Sequence, residues 1–231
     1  MGFRDVLLFL AAIAPGLLIC WYIYKMDKYE REQPFPLFAT FWLGAFATLG
    51  VIKIETWATY SPFLQGEGVL FTLFSSFIVV SLTEELVKYL CLFLYPYRSR
   101  FFNEPMDGIV YAVMIGMGFA TLENLMYALQ YGLETVILRA FTAVPAHAAF
   151  AVIMGYYFGK AKFEPDPKLR RKRLLMALLA PLVIHGIYDF FILQEIYEGL
   201  IALAIAVLGA SIVFARQLVL EQREDSPFKE P

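Results

Sequence analysis

Seven apolar runs, at about 4–24, 36–54, 68–95, 108–130, 135–159, 174–193 and 199–220, leave this chain little choice of fold. Each is close to the roughly 20 residues that an α-helix needs to cross a bilayer. Within lipid every backbone N–H and C=O must find a partner inside the protein, and a helix meets that demand within one segment. The expected architecture is therefore an all-α polytopic transmembrane helix bundle of about seven spans, a single domain over residues 1–231. Composition agrees: 60% of residues are hydrophobic and only 17% are charged, against about 25% charged in a typical soluble domain. The lipid bilayer is the surrounding medium. No length is left for a separate soluble domain, a nucleotide fold or a nucleic-acid reader, so no nucleic-acid partner is expected. Cys20 and Cys91 both lie in apolar runs and are read as buried reduced thiols. The first run is read as a retained span, because Asp5 neutralises Arg4 and Ala12-Ile13-Ala14 falls inside the run, not after it.

Lysine and arginine placement sets the orientation of such a bundle. Lys25, Lys28 and Arg31 follow the first run, Arg98 and Arg100 the third, Lys160 to Arg173 the fifth, and Arg216, Arg223 and Lys229 the seventh. The alternate connectors carry Glu55, Glu67, Glu134, Glu195 and Glu198, with Lys53 alone as a base on that side. Trp57, Tyr60, Pro62 and Gly66 give the second connector an interfacial composition. The N-terminus is expected outside the cell and the C-terminus in the cytoplasm. The run Arg170 to Arg173 reads as part of this topology signal near anionic lipid.

Ionisable residues inside the runs are the exceptions that need a reason. Glu84, Glu85, Glu123, His147, His185 and Asp189 all fall there, where such side chains usually face a watery cavity and carry function. Counted along their helices at about 1.5 Å per residue, they lie in the middle third of the membrane or slightly outward of it. One shared polar site is therefore expected from four consecutive spans. Glu84 and Lys88 are four residues apart and share a helix face, as do His185 and Asp189, and Phe119 and Glu123 with Asn124 beside them. Lys88 can offset a carboxylate, and Asp189 can orient the His185 ring or hold its proton. Pro145 and Pro181 stand close before the two histidines and are expected to disturb their helices. Arg139, about one turn into its span, is expected to snorkel outward. Gly116-x-Gly118 and Gly155-x-x-x-Gly159 read as helix-packing notches.

Glutamate and histidine activate water, so hydrolysis is the leading chemistry. The helical zinc motif His-Glu-x-x-His is absent, no serine stands in a recognisable nucleophile motif, and a single intramembrane aspartate cannot form an aspartyl dyad.

Glu84-Glu85-x-x-Lys88, Gly118-Phe119-Ala120-Thr121-Leu122-Glu123-Asn124, His147-Ala148 and His185-Gly186-x-Tyr188-Asp189, in that order, resemble the motifs of the PrsW intramembrane proteases. These are relatives of the type II CAAX prenyl endopeptidases, and the likeness extends to Ala14-Pro15-Gly16 and Met154-Gly155-x-Tyr157-x-Gly159-Lys160. CAAX relatives carry histidine where this chain has Glu123, and asparagine where it has Asp189. Both departures point away from prenyl-protein processing. The resemblance implies a type II CAAX-protease-like core and an endopeptidase of the bacterial plasma membrane. Its substrate would be a single-span anti-sigma factor, cut on the extracytoplasmic side as the first step of regulated intramembrane proteolysis in an envelope stress response.

Within this reading Glu84 or Glu85 takes a proton from the attacking water, and His185 and His147 stabilise the oxyanion or protonate the leaving amine. Glu123 or Asn124 positions water or substrate, with Lys88 and Asp189 in support. A metal-free, glutamic-type mechanism is slightly favoured, because the chain has no compact ligand motif. A divalent metal such as zinc, bound from among Glu84, Glu85, Glu123, His147 and His185, stays open. The rival classes are a proton-coupled transporter, which would show inverted repeats, and a non-catalytic scaffold of the same fold. The orientation is directly testable: a reporter fused at Pro231 should read cytoplasmic, and an extracytoplasmic signal would overturn the assignment.

Overall fold

The computed structural model describes residues 2–61, 64–194 and 197–229. Pro62, Glu195 and Pro231 lie outside the described residues. Among those residues the chain is helical and contains no strand. Helices α1 (Phe3–Met26) and α2 (Pro34–Tyr60) are followed by a continuous helical stretch in three parts: α3 (Val69–Phe74), a π-helical segment (Ser75–Ser81) and α4 (Leu82–Leu94). Then come α5 (Pro105–Tyr131), α6 (Leu133–Phe141), α7 (Ala143–Lys162), α8 (Pro167–Leu193) and α9 (Ile201–Glu224). Among the described residues, six segments are long and apolar enough to cross a membrane, with α6 and α7 together forming one of them. The seventh predicted run is the three-part stretch, which contains Glu84, Glu85 and Lys88. The chain is a multi-pass membrane protein.

Prolines place several boundaries. Pro34 and Pro105 stand in the first turns of α2 and α5, where a missing N–H costs nothing. Pro145 has no N–H to offer the Phe141 carbonyl, and its ring crowds that carbonyl. The predicted fifth run accordingly breaks at Thr142 (φ −121°, ψ −76°) into α6 and α7. Pro181, by contrast, sits within α8, which continues through it.

Helix α5 is the axis of the bundle, packed against α1, α2 and α7, with every residue from Met106 to Thr121 buried. Water cannot drive helices together inside lipid, so close packing through small residues does much of the work. Both predicted glycine notches serve this purpose. A Cβ on Gly118 would strike the Phe41 carbonyl of α2, and one on Gly116 would meet the Ala151 side chain of α7. Gly155 and Gly159 lie against the backbone at Gly108 and Pro105. In α2, Gly44 takes the Ile115 carbonyl in the same way. On the opposite side, the Phe77 ring of the π segment fills the space above Gly186 of α8, and Ser81 Oγ donates to the Leu182 carbonyl at 2.6 Å. Leu18, Phe35, Phe38, Phe46 and Leu70 remain exposed on the outer faces, which suits contact with lipid.

These contacts predict that Gly155→Leu costs about 2–3 kcal/mol or more through overpacking. Thermal unfolding in detergent should show the loss, while Gly50→Leu, at a position where a Cβ meets nothing within 4 Å, should melt like the parent.

Candidate active site

Four helical segments deliver the polar residues. Glu84, Glu85 and Lys88 come from the first two turns of α4, immediately after the π segment, and Glu123 from the second half of α5. His147 lies one turn past the break at the start of α7, and His185 and Asp189 lie on one face of α8. A π turn holds more residues than an α turn and often marks functional sites. Here it sets the helical phase at which both glutamates leave α4.

Lys88 is the hub. Its Nζ lies 3.0 Å from Glu84 Oε2, 2.9 Å from Glu85 Oε1 and 3.0 Å from His147 Nδ1, and 4.3 Å from the Phe119 ring centre. The sequence suggested one offset carboxylate; the ammonium reaches both. An ammonium only donates, so His147 Nδ1 accepts and the ring's hydrogen is on Nε2, which faces Glu123 Oε2 at 3.1 Å. His185 is held from both sides, Nδ1 at 2.9 Å from Glu85 Oε1 and Nε2 at 3.1 Å from Asp189 Oδ2. It stacks on Phe150 at 4.8 Å and meets the His147 ring edge-on at 5.4 Å. Glu84, Glu85, His147 and His185 thus form one cluster, extended by Glu123 and Asp189.

A cavity of about 370 Å³ opens beside this cluster, lined among others by Glu55, Glu84, Glu123, Arg139, His185 and Asp189. The two adjacent glutamates divide their tasks. Glu84 faces the cavity, whereas Glu85 is fully buried behind it between Lys88 and His185. Asn124 lies away from the cavity wall. Its Nδ2 donates to the Ala12 carbonyl of α1 at 3.3 Å, and its Oδ1 accepts from Arg139 Nε at 3.2 Å.

Two residues escaped the sequence reading. Arg139 does not snorkel outward: its Nη2 lies 2.8 Å from Glu123 Oε2 and its guanidinium covers the Tyr127 ring at 3.8 Å. The half-buried Glu123 carboxylate gives the guanidinium an ion pair within the protein, and the break at Thr142 lets α6 aim it inward. Glu55 appeared to belong to a connector, but α2 runs on to Tyr60 and places it in the cavity wall. Its position five residues ahead of Tyr60, the end of α2, would have been too weak a signal to find it.

The model for the PrsW family of intramembrane metalloproteases matches residues 33–216. The chain belongs to the PrsW family. Protease PrsW of Clostridioides difficile is 38% identical over 205 residues, covering 87% of this chain and 85% of that protein. Protease PrsW of Geobacillus kaustophilus is 38% identical over 200 residues, 84% and 85% of the two chains. That of Bacillus subtilis is 37% identical over 183 residues, 79% and 81%. No solved structure matches significantly. As a PrsW-family member the chain is a peptidase, which decides against the transporter reading.

The family description implies a metal, and the donor set can be tested against one. Glu84, Glu85, His147 and His185 each offer a ligand atom, all within 4.8 Å of one another. Two imidazoles and two carboxylates suit zinc, so the residues fit. Lys88 draws on three of the same four side chains, which makes ammonium and metal competitors for one negative pocket.

Removing that ammonium should be costly. Lys88→Met leaves two adjacent buried carboxylates without a cation between them, and breaking a buried ion pair from one side typically costs about 3–5 kcal/mol. Thermal melts of the detergent-solubilised variant should show a loss of that order.

Proposed function

We propose that this PrsW-family peptidase makes the first cut in a membrane-anchored, single-span anti-sigma factor, on the extracytoplasmic side of the bacterial plasma membrane. The observation that carries the chemistry is the cavity wall on which Glu84, His147, His185 and Arg139 converge. Glu84 is the acid that faces the cavity, with Lys88 fixing its carboxylate. It takes a proton from water as that water attacks the peptide carbonyl. His185, oriented by Glu85 and Asp189, delivers a proton to the leaving amine. His147 and the Arg139–Glu123 pair place polar and positive groups where charge develops on the carbonyl oxygen. A zinc-type ion held by Glu84, Glu85, His147 and His185 would supply Lewis-acid activation of water.

Position supports this side of cleavage. Asp189 is one turn from the end of α8 at Leu193, and Glu55 is five residues before the end of α2 at Tyr60. These ends adjoin the acidic and neutral connectors, which the distribution of lysine and arginine assigns to the outside. A single-span substrate brings a peptide bond near the membrane surface to that depth without leaving the bilayer. The recognition of an anti-sigma factor rests on the family resemblance.

The test is co-expression with a tagged single-span anti-sigma factor. Glu84→Gln and His185→Asn should each reduce the cleavage rate by about 10²–10⁴-fold at unchanged abundance of the membrane protein. Processing at the parent rate in both variants would end the assignment.

A further inference from the structure

Five carboxylates gather at the other end of α5, where Asp107 stands sixteen residues before Glu123 of the protease site. Asp27, Glu30 and Glu32 come from the connector between α1 and α2, and Glu104 and Asp107 from the start of α5. Four of them are almost completely buried: Asp27 1% exposed, Glu32 4%, Glu104 1% and Asp107 0%. The carboxylate of Asp27 abuts that of Glu104, and Glu32 abuts Asp107. Some of the oxygens are satisfied. Asp107 Oδ2 accepts the backbone N–H groups of Asn103 and Glu104 at 2.7 and 2.8 Å, capping α5. The Tyr111 hydroxyl donates to Glu32, and the Ser226 hydroxyl, just beyond α9, donates to Glu104.

The remaining oxygens have no donor. Both oxygens of Asp27, Oε2 of Glu30, Oε1 of Glu32 and Oδ1 of Asp107 are buried without a hydrogen-bond partner. No lysine, arginine or histidine among the described residues lies within 4.0 Å of any of the five carboxylates. Arg31, the base within this connector nearest to Glu30 and Glu32 in sequence, donates to the Asp27 backbone carbonyl at 3.3 Å and leans on the Tyr24 ring. Buried carboxylates without donors or countercharge are expensive. Glu30, Glu104 and Asp107 each present an oxygen within 4.8 Å of the other two. That spacing suits the shell of a hard cation with metal–oxygen distances of about 2.1–2.6 Å.

We propose that Asp27, Glu30, Glu32, Glu104 and Asp107 form a binding site for a hard divalent cation, Mg²⁺ or Ca²⁺, that ties the α1–α2 connector to the start of α5. The donors are all oxygen, which separates this site chemically from the imidazole-containing cluster in the membrane. The alternative is that the carboxyls share protons. Burial, with Glu104, Glu30 and Glu32 facing it, raises the Asp27 carboxyl to about 7, and burial also raises Glu32 and Glu104. A cation entering at neutral pH therefore displaces protons. Without a cation, these raised groups make the fold gain stability as pH falls from about 7 toward the ordinary carboxylate range.

The experiment uses the full chain in detergent, stripped with EDTA and titrated separately with Mg²⁺ and Ca²⁺ at pH 7.5. At a hundredfold excess over Kd one of the two should raise the melting temperature by roughly 5 °C or more, with proton release measured by calorimetry in buffers of different ionisation enthalpy. The response should persist in Glu84→Gln/Glu85→Gln and vanish in Asp27→Asn/Glu30→Gln, which spares the α5 cap. In EDTA the latter variant should melt above the parent, since it sheds repulsion. Glu30→Gln alone, at a half-buried position, should weaken the apparent affinity by about tenfold or more. Absence of a rise with either cation, or a rise that survives Asp27→Asn/Glu30→Gln, would each overturn the site.

Discussion

A single buried ammonium organises the membrane-embedded part of this protein. Lys88, 2% exposed, stands between Glu84 and Glu85 of its own helix and reaches His147 of α7. An ionised side chain at such depth is tolerated only when paired and hydrogen-bonded. The converse holds for the two glutamates, whose adjacent charges would otherwise repel. The i,i+3 and i,i+4 spacings bring the three together on one helix, and the Phe119 ring beneath the ammonium fixes α5 against them. With that centre in place, Glu85 can hold His185 and Glu84 is left free to face the cavity.

Helix α5 connects two polar regions through an apolar middle. Its N-cap and first turn carry Glu104 and Asp107, its second half carries Glu123 and Asn124, and glycines between them admit the backbones of α2 and α7. Close backbone contact leaves little freedom to slide, so the depth of Glu123 is set by packing at Gly108, Gly116 and Gly118. Helix α6 completes the arrangement by returning Arg139 to Glu123 and Asn124.

Hydropathy made the helices legible, because a bilayer imposes span length directly. The helical spacing of Glu84 with Lys88 and of His185 with Asp189 made those pairs legible as well, and the ordered motifs carried the family. What could not be read is what depends on backbone irregularity or on partners far away in sequence. No pattern of residues announces that Ser75–Ser81 winds as a π-helix. Arg139 looked like an end-of-span base because its partner Glu123 is sixteen residues earlier and meets it only through the turn at Gly132. Glu55 was obscured by a helix end that extends beyond its apolar run. The assignment of Glu84 to the cavity and Glu85 to the interior depends on the helical phase, which the sequence does not state.

That phase has a consequence for variation within this segment. Because a π turn takes one residue more than an α turn to complete its circle, a substitution that let Ser75–Ser81 relax to ordinary α-helix would leave that extra residue uncompensated while the span still crosses the bilayer. Every side chain downstream would then swing by about 100°, carrying both acids off their partners with no change in their identity. The contacts made by this stretch, the Phe77 ring over Gly186 and the Ser81 hydroxyl on the Leu182 carbonyl, are therefore under a constraint as strict as any on the acids themselves.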